Sequence, residues 1–387
     1  MKFLMCWEFG MDLGHITFIR TVASGLIARG HTVIAAVKDT VHAYTQLNDL
    51  RVTWLQAPYC HSIKLNNHTV NHADILAGRG YDDPVALAGL TRAWESIFKM
   101  VNPDRVICES SPTAALVARS LQLPVIALDK GFFMPPVADP LPSFREFGHT
   151  PRSALRKKER AVLETINKAQ AMNGFPRLDK FSDLFNYPCL WLTWPEISHF
   201  GKHNERHHLG PIYRGTGKGE ILKWKTETAP HVFAYLKPGH RYSVSLLSDL
   251  LQQECEIIAY LPEWEKSQLE RLPNQHLLTV SDKPINFDGL MEGADFMASH
   301  TGIGTVHSFL LNGKPQLMIP QQMEQYLLSK AIERSGLGLI VGSHEGLLNQ
   351  VNIQNVLGLK DNAKSFAAGR RSPVENFDIL MDNLTVS

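Results

Sequence analysis

Apolar and polar positions alternate along this chain in a repeating order: a short apolar run, a small polar turn, then apolar residues at helical spacing. "KFLMCWEF" is a nearly continuous apolar run, as expected of a strand covered on both faces. The loop "GMDLG" follows, and then Ile16, Ile19, Val22, Ala23, Leu26 and Ile27 recur at helical spacing up to Gly30, which fits a helix C-cap. "HTVIAAVKD" and "VTWLQAP" read as the next two strands. A βαβαβ opening implies a parallel sheet with helices on both faces. The order continues through the helix "PVALAGLTRAWESIFKMV", the strand "DRVICES", the helix "PTAALVARSLQ" with Pro at its start, and the strand "PVIALDK". "GFFMPPVADPLPSF" is too rich in proline for regular structure, "RSALRKKERAVLETINKAQ" is a charged helix, and "PCLWLTWPEI" is the last strand of this half.

Two stretches interrupt the alternation. Residues 59–80 carry "HSIKLNNHTVNHAD" and read as a long polar excursion, of the kind that is functional or mobile in compact domains. Residues 212–230 shift to Gly, Lys and Thr and read as an interdomain linker. Beyond them the alternation restarts with "HVFAYLKPG" and runs through "CEIIAYLP", "HLLTVSD", "DFMASH", "PQLMIP" and "LGLIV", with helices between. The expectation is an α/β protein of two doubly wound, Rossmann-like domains: 1–211, then a linker at 212–230, then 231–387. The layout allows the last helix to pack back on the first domain. Open α/β sheets bind ligands at the carboxyl ends of their strands.

Composition narrows the classes. A chain of 387 residues is comfortable for two domains, and 44% hydrophobic against 20% charged residues can fill two cores. With 39 basic and 38 acidic side chains the net charge is +1, which argues against a nucleic-acid partner. Cys6, Cys60, Cys108, Cys189 and Cys255 show no CxxC spacing, which points to reduced thiols and a cytoplasmic setting. The apolar start contains Glu8 and reads as a buried strand rather than a signal peptide. No stretch approaches the ~20 apolar residues of a membrane span. A peripheral membrane contact through the basic stretch 152–160 is the most that the charge pattern offers, and a solvated helix face is the preferred reading. The His-rich runs "HSIKLNNHTVNH" and "KHNERHH" lack cysteine partners or an HExxH pattern, so no metal site is expected.

Two phrases sit where a strand hands over to a helix, "DLGHIT" and "SHTGIGT". In the second, Gly302 and Gly304 allow close backbone approach to an anion at a helix start, Thr305 adds a hydroxyl, and His300 is a donor for a phosphate oxygen. The phrase is neither a Walker loop nor GxGxxG, and by spacing alone it also fits a plain strand–helix turn. Downstream, Gly313 and Pro315 make a helix stop, and Gln321, Gln322, Glu324 and Gln325 follow the next strand. His15 in the first phrase is either a helix-start residue or a base, and the sequence alone leaves both open.

The stretch "ADFMASHTGIGTVHSFLLNGKPQLMIPQQMEQYLLSKAIERSGLGLIV" resembles the donor-binding signature of the UDP-glycosyltransferase-like superfamily, which has the GT-B fold. The opening "GHITFIRTVASGLIARGHTVIAAV" resembles the same family's first strand, loop and helix. The resemblance implies an inverting transferase that moves a sugar from a UDP- or dTDP-sugar to an acceptor hydroxyl, with no metal or other cofactor. It places His300, Gly302, Gly304 and Thr305 on the diphosphate, Glu324 and Gln325 on the sugar, and Pro284 and Ile285 at the base. Lys237 and Gly239 become a further phosphate loop, and His307 takes the position near the ribose, where plant-type members carry Glu. The resemblance makes His15 the base for the acceptor hydroxyl, oriented by Glu109 or by Asp12. A small-molecule or lipid-like acceptor belongs on the first domain, with Phe132, Phe133 and Met134 as candidate pocket residues. A nucleotide-sugar epimerase and a non-catalytic nucleotide-sugar-binding helper are the alternatives.

Overall fold

The computed structural model describes residues 1–10, 13–60, 69–145, 150–201, 207–212, 219–240, 242–287, 289–341 and 351–386. The chain divides into two compact units. Met1–Leu192, His203–Leu209 and Phe377–Ser387 form the first, and Thr193–Lys202 with Gly210–Asn376 form the second.

The first unit holds a parallel sheet of β1 (Lys2–Trp7), β2 (Thr32–Val37), β3 (Val52–Gln56), β4 (Arg105–Glu109), β5 (Val125–Asp129) and β6 (Cys189–Trp191), in the order β3-β2-β1-β4-β5-β6. β1 lies at the centre, and Phe3 through Trp7 are at most 1% exposed. That central place explains the unbroken apolar run in the sequence. The helix after β1 spans Leu13–Ala28, and Gly30 closes it at φ +81° with the N–H of His31 reaching the carbonyl of Leu26. β6 is shorter than the sequence suggests, because Pro195 opens a 3-10 turn over Pro195–Ile197.

The second unit repeats the plan. β7 (His231–Tyr235), β8 (Glu256–Tyr260), β9 (Leu278–Ser281), β10 (Phe296–Ser299), β11 (Gln316–Met318) and β12 (Gly338–Ile340) are parallel, in the order β12-β11-β10-β7-β8-β9. β10 and β7 are the buried centre, with Phe296, Met297, Ala298, Val232, Phe233 and Ala234 all at 0% exposure.

Two expectations about the chain are corrected. The described end of the polar excursion is ordered and buried: His72–Leu76 is helical, and Asn71, His72, Asp74 and Tyr81 are each at most 8% exposed. Its polar side chains are paired inside, Asn71 to the Glu159 carboxylate at 2.9 Å, Asp74 to Lys158 at 2.5 Å, and His72 to the Phe132 carbonyl at 2.8 Å. Residues 61–68 of the excursion lie outside the described residues. The stretch 219–230, expected as linker, packs on the second unit. The buried Glu256 carboxylate accepts from the N–H groups of Lys225 and Thr226 and from the Thr226 hydroxyl, at 2.7–2.8 Å. Trp224 stacks on His231 with ring centroids 4.4 Å apart. Phe377–Ser387 belongs to the first unit, the placement that the sequence left open for the last helix.

Candidate functional site

In the first unit, register brings two chemical groups together. Trp7 at the end of β1 is paired with Glu109 at the end of β4, so whatever follows β1 meets the Glu109 carboxylate. His15 stands in the first turn of the helix that follows. Its Nδ1–H donates to both oxygens of Glu109, each at 2.8 Å. Trp7 stacks on the imidazole at 5.3 Å and 17°, which fixes the ring plane. Glu109 is buried, and burial pushes its carboxyl up. The interaction with His15, with Lys130 and Ser110 helping, outweighs that and holds it below the usual carboxylate range. An ionised carboxylate on Nδ1 leaves Nε2 as the ring's proton-accepting atom.

Gly10 makes room for that nitrogen. A Cβ there would stand 2.0 Å from His15 Nε2, and the backbone is at φ +89°. Ser110, directly after Glu109, is held at φ +49°, an uncommon conformation for a residue with a side chain. Sequence reasoning missed Trp7 and Gly10. An aromatic residue closing the first strand and a glycine three residues on were the available signals. Asp12 lies outside the described residues, so Glu109 is the described partner of His15.

An apolar pocket opens in the same unit. Phe133 and Met134 line it, with Phe9 after β1, Ile75 and Leu76 from the short helix, and Ser110. Phe132 does not line it: its ring packs with Phe144 and His72, at centroid distances of 5.4 Å each.

In the second unit, Gly302 caps the helix Ile303–Leu311 immediately after β10. A Cβ on Gly302 or Gly304 would meet nothing within 4 Å, so this helix start is open to a ligand, and its unpaired N–H groups suit an anion. Gly239 in the loop after β7 is equally open. Thr301 takes φ +64° while buried, its N–H bonded to Ser299 Oγ and its hydroxyl to Ser329 at 2.7 Å. Thr305 is half-buried in the first turn of that helix.

Four expected contacts read differently in the structure. His300 is not presented as a donor to a phosphate: its Nδ1–H donates to the Ile319 carbonyl at 2.9 Å, and its Nε2 accepts the Lys237 N–H at 2.8 Å. Burial pulls its pKa down to about 4, so the ring is neutral. His307 is buried on the inner side of its helix, bonded to the Thr193 hydroxyl at 2.9 Å and edge-on to Trp194, rather than offered to a ribose. Gln325 spends its side-chain oxygen on its own helix start, accepting from the N–H groups of Gln321 and Gln322. Glu324 beside it is half-buried in the helix Met323–Arg334. The Pro284 carbonyl and Asn286 N–H pair with Glu220, each at 2.9 Å. In such a parallel bridge the N–H and carbonyl of Ile285 itself face the other way.

Among the described residues no group of three or more His, Cys, Asp or Glu side chains is arranged to hold a metal ion, and no helix is long and apolar enough to cross a membrane.

Residues 244–371 match the model of the "Erythromycin biosynthesis protein CIII-like, C-terminal domain" family. No curated protein sequence matches the chain. Solved structures match over its whole length. The calicheamicin glycosyltransferase CalG4 is 13% identical, covering 99% of this chain and 97% of its own, with a TM-score of 0.71. The spinosyn rhamnosyltransferase SpnG, complexed with thymidine diphosphate, is 14% identical, with all of both chains covered and a TM-score of 0.66. The glycosyltransferase SnogD from Streptomyces nogalater is 18% identical, covering 99% of each chain, with a TM-score of 0.63. Residues 244–371 thus resemble an EryCIII-like C-terminal domain, and the chain as a whole has the two-sheet GT-B fold of these structures.

Proposed function

We propose that the protein is an inverting glycosyltransferase that moves a sugar from a nucleotide-diphospho sugar to the hydroxyl of a small apolar acceptor. The observation that carries this reading is His15, held through Nδ1 by a buried, ionised Glu109 while Gly10 leaves room at Nε2. In the proposed reaction the acceptor O–H proton passes to His15 Nε2. The oxygen bonds to the anomeric carbon, and the bond from that carbon to the diphosphate oxygen breaks with its electron pair going to the diphosphate. Glu109 stabilises the imidazolium that results. The open helix start at Gly302–Thr305 supplies N–H groups to the departing negative charge, and no metal is assigned a role. The pocket lined by Phe133 and Met134 is assigned to the acceptor, and the outward backbone of Ile285 to the base. Thymidine diphosphate is the favoured nucleotide, since the structural relatives include complexes with it.

The test is a panel of thymidine- and uridine-diphospho sugars, with binding followed by thermal shift and turnover by release of nucleoside diphosphate. Binding with release that disappears in His15→Ala, while binding stays, is the expected result. Absence of binding to every donor would overturn the reading, and binding without release in the wild type would favour a non-catalytic helper.

A further inference from the structure

The helix His72–Leu76 passes into a wide, π-helical turn over Ala77–Tyr81, "AGRGY" in the sequence. Arg79 leaves helical geometry there at φ −130° and ψ 33°, and Gly80 takes φ +93°, where a residue with a side chain is strained. Tyr81 anchors the turn. It is fully buried, and its hydroxyl pairs with the Thr113 hydroxyl at 2.8 Å. Turns of this kind recur at functional sites. Held this way, Arg79 reaches the wall of the apolar pocket. Its guanidinium lies over the Phe9 ring, 5.2 Å from the ring centre, and donates to the Ile75 carbonyl at 3.4 Å. Phe9 and Ile75 both line the pocket.

A guanidinium has five N–H donors, and that one long bond is all that Arg79 makes among the described residues, with no carboxylate paired to it. Other half-buried arginines of the same unit are better served: Arg119 donates to the Asp183 carbonyl at 2.6 Å and Arg105 to the Leu384 carbonyl at 2.7 Å. Burial pulls the Arg79 pKa down, and no acid offsets it. A second half-buried cation stands near. Lys38, just after β2, donates through Nζ to the Gly10 carbonyl at 2.7 Å, so it sits on the same loop that borders His15 Nε2. Burial and then the Arg79 charge pull its pKa down, and Asp39 alone opposes them. The Asp39 carboxylate is itself engaged by the N–H of His42 at 2.9 Å and by the His42 ring at 3.3 Å. Two like charges, partly stripped of water beside an apolar pocket, are costly unless a negative group shares the space.

We propose that Arg79, with Lys38, forms an anion site at the edge of the pocket, and that the acceptor is an apolar molecule bearing a carboxylate apart from the hydroxyl that receives the sugar. That the anion belongs to the acceptor rests on the transferase reading above. The test is calorimetric titration of the full chain, without donor, using a hydroxynaphthoic acid and its neutral amide, with the carboxyl and hydroxyl on opposite rings. The acid should bind the wild type about tenfold tighter than the amide, the worth of one charge-assisted hydrogen bond at a half-exposed site. Arg79→Gln should erase that preference while the amide binds as before, which also shows the pocket intact. Arg79→Lys should recover part of the preference, and Lys38→Gln should lose part of it. Equal affinity for the two probes in the wild type, failure of the acid to bind, or a preference that survives in Arg79→Gln would each overturn the site. Thymidine diphosphate is the competing arm: if it displaces the acid from the wild type, the anion is the donor's and the assignment to the acceptor falls. Donor turnover is read separately. If donors turn over and the acid shows no preference, only this inference falls. If the acid binds through Arg79 and no donor binds, the anion site stands and the transferase reading falls.

Discussion

On the proposed reading His15 is a general base, which needs one nitrogen held and the other left open, and separate residues would meet each need. Glu109 and Trp7 hold the His15 ring, while Gly10 keeps the space beside Nε2 clear. Glu109→Gln keeps a hydrogen-bond acceptor for Nδ1–H but removes the negative charge that favours the imidazolium. Turnover should therefore fall about 100-fold, within the range general bases contribute, while thymidine diphosphate binds as before. Gly10→Ala tests the other half. Its Cβ would overlap the imidazole, and its backbone is in the left-handed region. The ring must swing away, so turnover should fall as far as in His15→Ala, with the circular dichroism spectrum kept. Wild-type turnover in Gly10→Ala would show that Nε2 is not the working atom.

Between elements, the end of β1 is fastened to the helix Pro112–Ser120 by a buried carboxylate. Glu8 accepts the N–H groups of Thr113 at 3.1 Å and Ala114 at 2.7 Å, at the positive end of that helix. Burial outweighs those bonds and pushes its pKa up to about 7. An acid whose folded pKa lies above its unfolded value binds more protons folded than unfolded. Its stabilising contribution is complete below the unfolded value of about 4.3 and is lost as pH rises to about 7. The unfolding temperature should therefore fall from pH 5 to pH 8, and Glu8→Gln should flatten part of that slope. An identical slope in Glu8→Gln would locate the titration elsewhere, Glu159 being the other carboxyl pushed up to about 7. The sheets were legible because their central strands are almost wholly apolar, as in "KFLMCW" and "FMAS". Register pairs Trp7 with Glu109, so the helix that follows β1 brings His15 to that carboxylate. The segment around Asn71, His72 and Asp74 was not legible. Its polar letters look solvated until Lys158 and Glu159, more than 80 positions away, arrive to pair with them. The commitment of His300 was hidden for the same reason, because its partners are backbone groups of two other strands. A motif names the residue and leaves the direction of its ring to the tertiary structure.

At the scale of the molecule, the chain finishes in the unit where it began. The last helix, Pro373–Thr385, buries Leu380, Met381 and Leu384 to within 1% of complete, and residues from Phe377 onward belong to the first unit. Arg29 pairs with Asp382 at 2.7 Å, and the Arg105 guanidinium donates to the carbonyls of Leu384 and Val386 at the helix end, at 2.7 and 3.0 Å. Close approach depends on Gly25. A Cβ there would lie 2.4 Å from the Phe377 ring and 2.6 Å from the Met381 sulfur. Full burial of three such side chains is worth roughly 5 kcal/mol or more, comparable with the whole stability of a domain. Gly25→Val should therefore destabilise the first unit by about 2 kcal/mol through overpacking. Gly89→Ala, in a helix where a Cβ meets nothing within 4 Å, should instead stabilise the same unit by about 0.5–1 kcal/mol. Calorimetric unfolding of the two variants separates the explanations. If packing of the last helix on Gly25 is the cause, Gly25→Val lowers the first unit's transition while the second unit still binds thymidine diphosphate. If helix propensity were all that mattered, Gly25→Val would be no worse than Gly89→Ala by more than the few tenths of a kcal/mol that separate Val from Ala in a helix.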